Sequence, residues 1–128
     1  MTVAYLDTSA AMKLVVEERE SQKLVVAISD PSRRLASSWL LHTELHCAAG
    51  RNPAFVPIEA ITAVLDAVVL VDVTRGDLLS AGTQTPLRSN DAIHLTTALR
   101  IGADEIVTYD DELARAARAA GIRVLAPA

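Results

Sequence analysis

Short apolar runs alternate along the chain with longer segments of helical composition. Val3–Leu6 is an apolar run bounded by Asp7, Thr8 and Ser9, and the following SAAMKLVVEE reads as a helix. Glu20–Ser29 reads as a second helix closed by Asp30, Pro31 and Ser32, Leu35–Ser38 as a second strand, and Leu40–Gly50 as a third helix stopped near Gly50. Pro53 and Pro57 break the chain before a helix over Ile58–Leu65. The β-branched run Val68–Val73 predicts a strand, and Arg75–Thr85 another helix. After a loop over Pro86–Asn90, a helix is expected from Asp91 to Arg100, stopped by Gly102. Strand Glu105–Tyr109, helix Asp111–Ala120, a stop at Gly121 and strand Ile122–Leu125 complete the pattern.

Strands separated by helices predict a parallel sheet covered on both faces, a three-layer α/β/α arrangement with about five strands. The 128 residues suit one domain spanning 1–128. With 51% hydrophobic but only 3% aromatic residues, the core must be built from Ala, Val, Leu and Ile, which favours α/β over an all-β sandwich.

The single Cys47 has no disulfide partner within the chain, and its apolar neighbours suggest a small buried hydrophobe in a reducing cytoplasm. The start MTVAYLD has no basic segment, and the apolar stretch Ile58–Val73 is interrupted by Glu59, Asp66 and Asp72. Neither a signal peptide nor a membrane span is expected. A net charge of -4 argues against a generic nucleic-acid binder. If four acids hold metal, however, the other 12 of the 16 acids balance the 12 Lys and Arg, and the charge becomes compatible with RNA.

In an open parallel sheet the functional edge lies at the carboxyl ends of the strands. Asp7 and Asp110 fall there, each at the opening of a helix, and Asp91 sits at another helix start with Ser89 or Asn90 as a candidate cap. Each taken singly is explained by helix capping and the helix dipole. Asp111 and Glu112 read as solvated first-turn acids. Glu44 is different, because at helical spacing its neighbours are Leu40, Leu41, Cys47 and Ala48. It needs a partner: either Arg51 in an ion pair, or charges across the sheet edge.

Should Asp7, Glu44, Asp91 and Asp110 converge, each pair at ~6 Å in an effective dielectric near ~20 would repel by roughly 3 kcal/mol. Helix dipoles offset only about 0.3 to 1 kcal/mol per acid, so such a cluster raises pKa values or recruits a cation. Oxygen-only ligands select a hard ion, Mg²⁺ or Mn²⁺. His42 and His46 stand four apart but lack a third soft ligand, and HTELH differs from the zincin HExxH, so zinc is not favoured. His94 is placed near Asp91 as a residue lining the site. Dinucleotide, P-loop and serine-hydrolase motifs are absent. A receiver-like phospho-acceptor reading fails because the only lysines are Lys13 and Lys23.

Taken together, YLDTSAAMKLV, TELHCAAGR, SNDAIHLTTAL and IVTYDDEL resemble, in order and spacing, the acidic motifs of PIN-domain VapC toxins. The resemblance spans nearly the whole chain and is specific only as a set. It implies a PIN fold with strand order 3-2-1-4-5, and RNA cleavage dependent on Mg²⁺ or Mn²⁺ that leaves 3′-hydroxyl and 5′-phosphate ends. It also implies a homodimer neutralised by a VapB antitoxin. The family's acidic quartet falls on Asp7, Glu44, Asp91 and Asp110, with Ser9 and Thr108 at supporting polar positions. Arg33, Arg34, Arg51 and Arg88 are candidates for an RNA groove, with surface charge as the plainer role of each, and Trp39 and Tyr109 for base stacking, with packing as the plainer role of both rings. The alternative from another class is a non-catalytic PIN-like module that docks RNA or a protein.

Overall fold

A computed structural model describes all 128 residues. Five parallel strands, β1 (Thr2–Leu6), β2 (Arg33–Ser38), β3 (Val69–Val71), β4 (Glu105–Val107) and β5 (Arg123–Leu125), form one sheet in the order β3-β2-β1-β4-β5. That is the expected order. Seven helices connect them: α1 (Thr8–Val15), α2 (Ser21–Ile28), α3 (Trp39–Arg51), α4 (Ile58–Asp66), α5 (Arg75–Ala81), α6 (Ser89–Arg100) and α7 (Asp111–Ala119).

Side chains alternate across the pleat and so feed two cores. Ala4, Leu6 and Val107 face a larger core with Leu24, Leu41, Leu45 and Ile61 from helices α2 to α4. Tyr5 and Ile106 face a smaller one with Leu95, Ala98, Leu113 and Ala117 from α6 and α7. Helix α5 packs against α6. The central strand β1 is buried on both faces, which explains its unbroken apolar run.

Several boundaries differ from the sequence expectation. Helix α3 runs through Gly50 to Arg51 and ends on Asn52. Gly50 is therefore not a stop, whereas Gly102 and Gly121 take the left-handed conformation just beyond α6 and α7. Helix α6 begins at Ser89 with Arg88 in the cap position, so neither Ser89 nor Asn90 caps it and Asp91 lies inside its first turn. Strand β3 is three residues long, because only Val69–Val71 finds a ladder on β2. Cys47 is exposed, not buried: it lies on the outer side of α3, while Leu41, Leu45 and Ala48 take the core side.

Candidate active site

The carboxyl edge of the sheet gathers the acids. Asp7, at the end of β1, caps α1 by accepting the Ala10 N–H at 2.9 Å through Oδ1. Its other oxygen accepts from Thr108 Oγ1 at 2.6 Å, and Ser9 Oγ lies 2.8 and 2.9 Å from the two oxygens. Burial raises the Asp7 pKa above the usual carboxylate range, an effect moderated by these donors. Asp110 caps α7 by accepting the Leu113 N–H at 2.8 Å. The capping role foreseen for both acids is therefore real.

Thr108 joins them. Its hydroxyl donates to Asp7 and accepts the Asp110 N–H at 3.1 Å, while Ser9 Oγ accepts the Tyr109 N–H at 2.9 Å. Asp91 has no hydrogen-bonding partner on either carboxylate oxygen, although it is only partly exposed. Its pKa is pushed up to about 6, first by burial and then by the negative charges of Asp110 and Asp7, with Glu44 adding to them and His94 opposing. Asp110, Asp7 and Glu44 thus all bear electrostatically on Asp91.

Glu44 reaches this edge from α3, and its partner is not Arg51. Oε1 lies 2.7 Å from His94 Nε2 and accepts from Thr8 Oγ1 at 2.6 Å, and Oε2 accepts from Asn90 Nδ2 at 3.2 Å. Burial alone would raise its pKa. The donors and His94 outweigh that and hold it below the ordinary value. His94, expected near Asp91 at the site, is 1% exposed and stands behind Glu44, with Nδ1 2.7 Å from the Tyr5 hydroxyl.

Sequence reasoning missed Tyr5, Thr8, Ser38 and Asn90. Tyr5 carries the only hydroxyl in the otherwise apolar segment Val3–Leu6, and that was the available signal. A hydroxyl buried in a core strand requires a partner. Here it has Ser38 Oγ at 3.2 Å in addition to His94.

The four arginines separate. Arg33 pairs with Glu105 and donates to the Ala27 carbonyl, and with Arg34 it lies at the amino-terminal start of β2, the edge opposite the acids. Neither belongs to a groove at the site. Arg88 precedes α6, and Arg51 lines a cleft of about 530 Å³ with Glu44, Cys47 and Asn90. Trp39 follows β2 directly and is half exposed, its ring 5.4 Å from that of His42. Tyr109 packs instead: Lys13 Nζ sits 4.8 Å from its ring centre and its hydroxyl donates to the Pro127 carbonyl.

No three His, Cys, Asp or Glu side chains enclose a single ion as they stand. Mg²⁺ asks for less, since it is commonly held by one or two carboxylates together with waters and a substrate phosphate. A donor set made only of oxygen, with an unpartnered carboxylate destabilised by three others, fits such a cation.

The PIN domain family model matches residues 4–119. Ribonuclease VapC46 of Mycobacterium tuberculosis is 35% identical over 99% of both chains, and ribonuclease VapC35 of the same species is 37% identical over 96% of both. Among solved structures, VapBC2 from Rickettsia felis, bound to a promoter DNA fragment, aligns with a TM-score of 0.74 at 12% identity, covering 97% of this chain and 98% of the other. Mycobacterium tuberculosis VapC20, described as a toxin that cleaves the sarcin-ricin loop, aligns with a TM-score of 0.72 at 15% identity, covering 97% and 99%. At such identities the structural matches speak for the fold. The family model and the near full-length relatives show that the chain is a PIN domain, and it belongs within that family to the VapC ribonucleases. No helix is long and apolar enough to cross a membrane.

Proposed function

We propose that this chain is a Mg²⁺-dependent endoribonuclease, the toxin of a VapB–VapC pair, with Asp7, Glu44, Asp91 and Asp110 as its catalytic acids. The observation that carries the reading is Asp91: a carboxylate with no hydrogen-bonding partner, its pKa raised to about 6 by burial and by Asp110, Asp7 and Glu44. Asp77, away from the site, has by contrast Arg100 as its donor. Ribonuclease names on relatives of near-identical length support the reaction class.

Asp7 and Asp91 would hold the ion most directly, and Glu44 and Asp110 would serve as further or water-mediated ligands. Bound there, Mg²⁺, or Mn²⁺ in its place, supplies an acidified water and neutralises charge on the scissile phosphate. The chain's own residues hold the geometry. Thr108, Ser9 and the Ala10 N–H fix the Asp7 carboxylate, and Asp110 is fixed by the Leu113 N–H. Glu44 is anchored on Thr8 and His94, so it presents a defined carboxylate for orienting water.

A VapB-type antitoxin is the proposed partner, supported by solved VapBC complexes that share the fold. The working form is a homodimer in the cytoplasm. Purified protein incubated with cellular RNA and Mg²⁺ should yield discrete fragments, none with EDTA, and none with folded Asp7→Asn protein. Undiminished cleavage by that variant overturns the assignment.

A further inference from the structure

We propose that His94 is a positioning residue: its imidazole fixes the Glu44 carboxylate so that one oxygen alone is left for the acid cluster. The inference rests on the nuclease reading for its consequence, but its geometry stands apart from it.

His94 is 1% exposed and touches polar groups at both nitrogens: Tyr5 Oη lies 2.7 Å from Nδ1 and Glu44 Oε1 2.7 Å from Nε2. Two charge states of the ring satisfy these contacts. In the neutral ring, Nε2–H donates to Glu44 and the Nδ1 lone pair accepts the Tyr5 hydroxyl proton. In the imidazolium, Nε2–H donates to Glu44 and Nδ1–H donates to Tyr5, whose proton turns to Ser38 Oγ at 3.2 Å. The remaining neutral tautomer sets a lone pair against a carboxylate oxygen at 2.7 Å; Thr8 Oγ1, 3.2 Å from Nε2, could donate to it only by giving up its shorter bond of 2.6 Å to Glu44 Oε1. Both workable states place the proton on Nε2, so the donor to Glu44 does not depend on the charge of the ring. Tyr5 keeps its own proton, burial having pushed its pKa up to about 12.

The result is an asymmetric carboxylate. Oε1 takes two donors, His94 Nε2–H and Thr8 Oγ1–H. Oε2 has only the exposed amide of Asn90, at 3.2 Å, and is the oxygen open to an ion or its water. Such outer partners commonly change metal affinity or activity by ~10 to 100-fold when removed.

A matched pair of variants separates positioning from simple core support. His94→Gln carries an amide N–H where Nε2 stood; His94→Asn carries one where Nδ1 stood, towards Tyr5, and leaves Glu44 with Thr8 alone. Both keep a polar group in the same pocket. Mn²⁺ affinity is read by calorimetry, and cleavage by kcat and KM on one RNA. We expect His94→Gln to stay within about 3-fold of wild type, and His94→Asn to lose about 10-fold or more in Mn²⁺ affinity and in kcat with KM unchanged. In a Glu44→Gln background the difference between the two should vanish. Equal behaviour of Gln and Asn, or a difference that persists without the Glu44 carboxylate, overturns the proposal. If wild type binds Mn²⁺ with this pattern yet leaves RNA intact, positioning stands and the nuclease reading fails.

Discussion

The Thr108 hydroxyl donates to Asp7 Oδ2 at 2.6 Å across 101 residues of sequence, and Thr108 Oγ1 in turn accepts the Asp110 N–H at 3.1 Å. One small side chain thereby ties the end of β4 to the end of β1 and sets two of the four acids relative to each other. Thr108 is 1% exposed, so no water replaces either bond.

Replacing Thr108 with Val keeps the shape and removes the hydroxyl. Asp7 loses a donor and the Asp110 N–H loses its acceptor, and we expect a loss of about 1–3 kcal/mol in unfolding free energy. Cleavage should fall as well, because the Asp7 carboxylate becomes free to turn, and Thr108→Ser should recover both. Urea unfolding and an RNA cleavage assay on the same samples check this. A Val variant with wild-type stability and rate refutes it.

Asp77 offers a contrast away from the site. Its side chain is 2% exposed, completes a capping box with Thr74, and meets Arg100 Nε at 2.8 Å. Burial would raise its pKa; the Arg100 guanidinium and the Thr74 N–H outweigh that and hold it below the ordinary value. The charged form is therefore favoured by folding, and its stabilisation is present above the ordinary Asp range and lost as pH falls below about 4. Asp77→Ala should cost about 2–3 kcal/mol at pH 7 with cleavage per folded molecule unchanged. The gap to wild type should narrow below pH ~4. Denaturant melts at the two pH values decide it.

Periodicity revealed the strands and helices because β1 and β4 are buried on both faces and the helices on one, so burial wrote itself into the spacing of apolar residues. Asp7 and Asp110 were legible for the same reason: a strand end followed by a helix start is a local event. The partner of Glu44 was not. Arg51 was the natural choice along α3, but His94 comes from α6, 50 residues on, and is brought in by the packing of α6 against β2. Two of the four candidate arginines fall on the far edge for a related reason. Arg33 and Arg34 look like their fellows in composition, and only the direction of β2 shows that they start a strand whose far end faces the acids. The apolar sequence neighbours of Cys47 suggest burial, but helical spacing turns its side chain away from the face they bury.

Arg51 and Arg34 now separate by position. Arg51 makes no ion pair and lines the cleft that Glu44 and Asn90 share, whereas Arg34 is exposed on the opposite edge. Arg51→Ala should raise KM for RNA by roughly 3- to 10-fold at moderate salt, with a shallower salt dependence because one phosphate contact is gone. Arg34→Ala should leave KM unchanged. Equal effects from the two substitutions would place the RNA elsewhere than the acid edge.

Asp91 gives the sharpest pH signature. Its pKa is raised from an ordinary 3.8 to about 6, so the folded protein holds that proton more tightly than the unfolded chain does. The corresponding stabilisation is complete below the ordinary value and is lost as pH rises through about 6. Asp91→Asn cannot ionise and should be spared that loss. In the absence of divalent metal, its melting temperature relative to wild type should therefore climb between pH 4 and 7 and then level off. Mg²⁺ should close most of that gap at pH 7: an ion bound only by the native state stabilises by about 2.7 kcal/mol at a hundred times its Kd, and the Asn variant lacks a charged ligand for it. Melting curves of both proteins with EDTA or Mg²⁺, at pH 4.5 and 7, test each half separately. A relative melting temperature that does not change with pH would mean that Asp91 is not crowded by the other acids, and a Mg²⁺ response equal in both proteins would remove it from the metal.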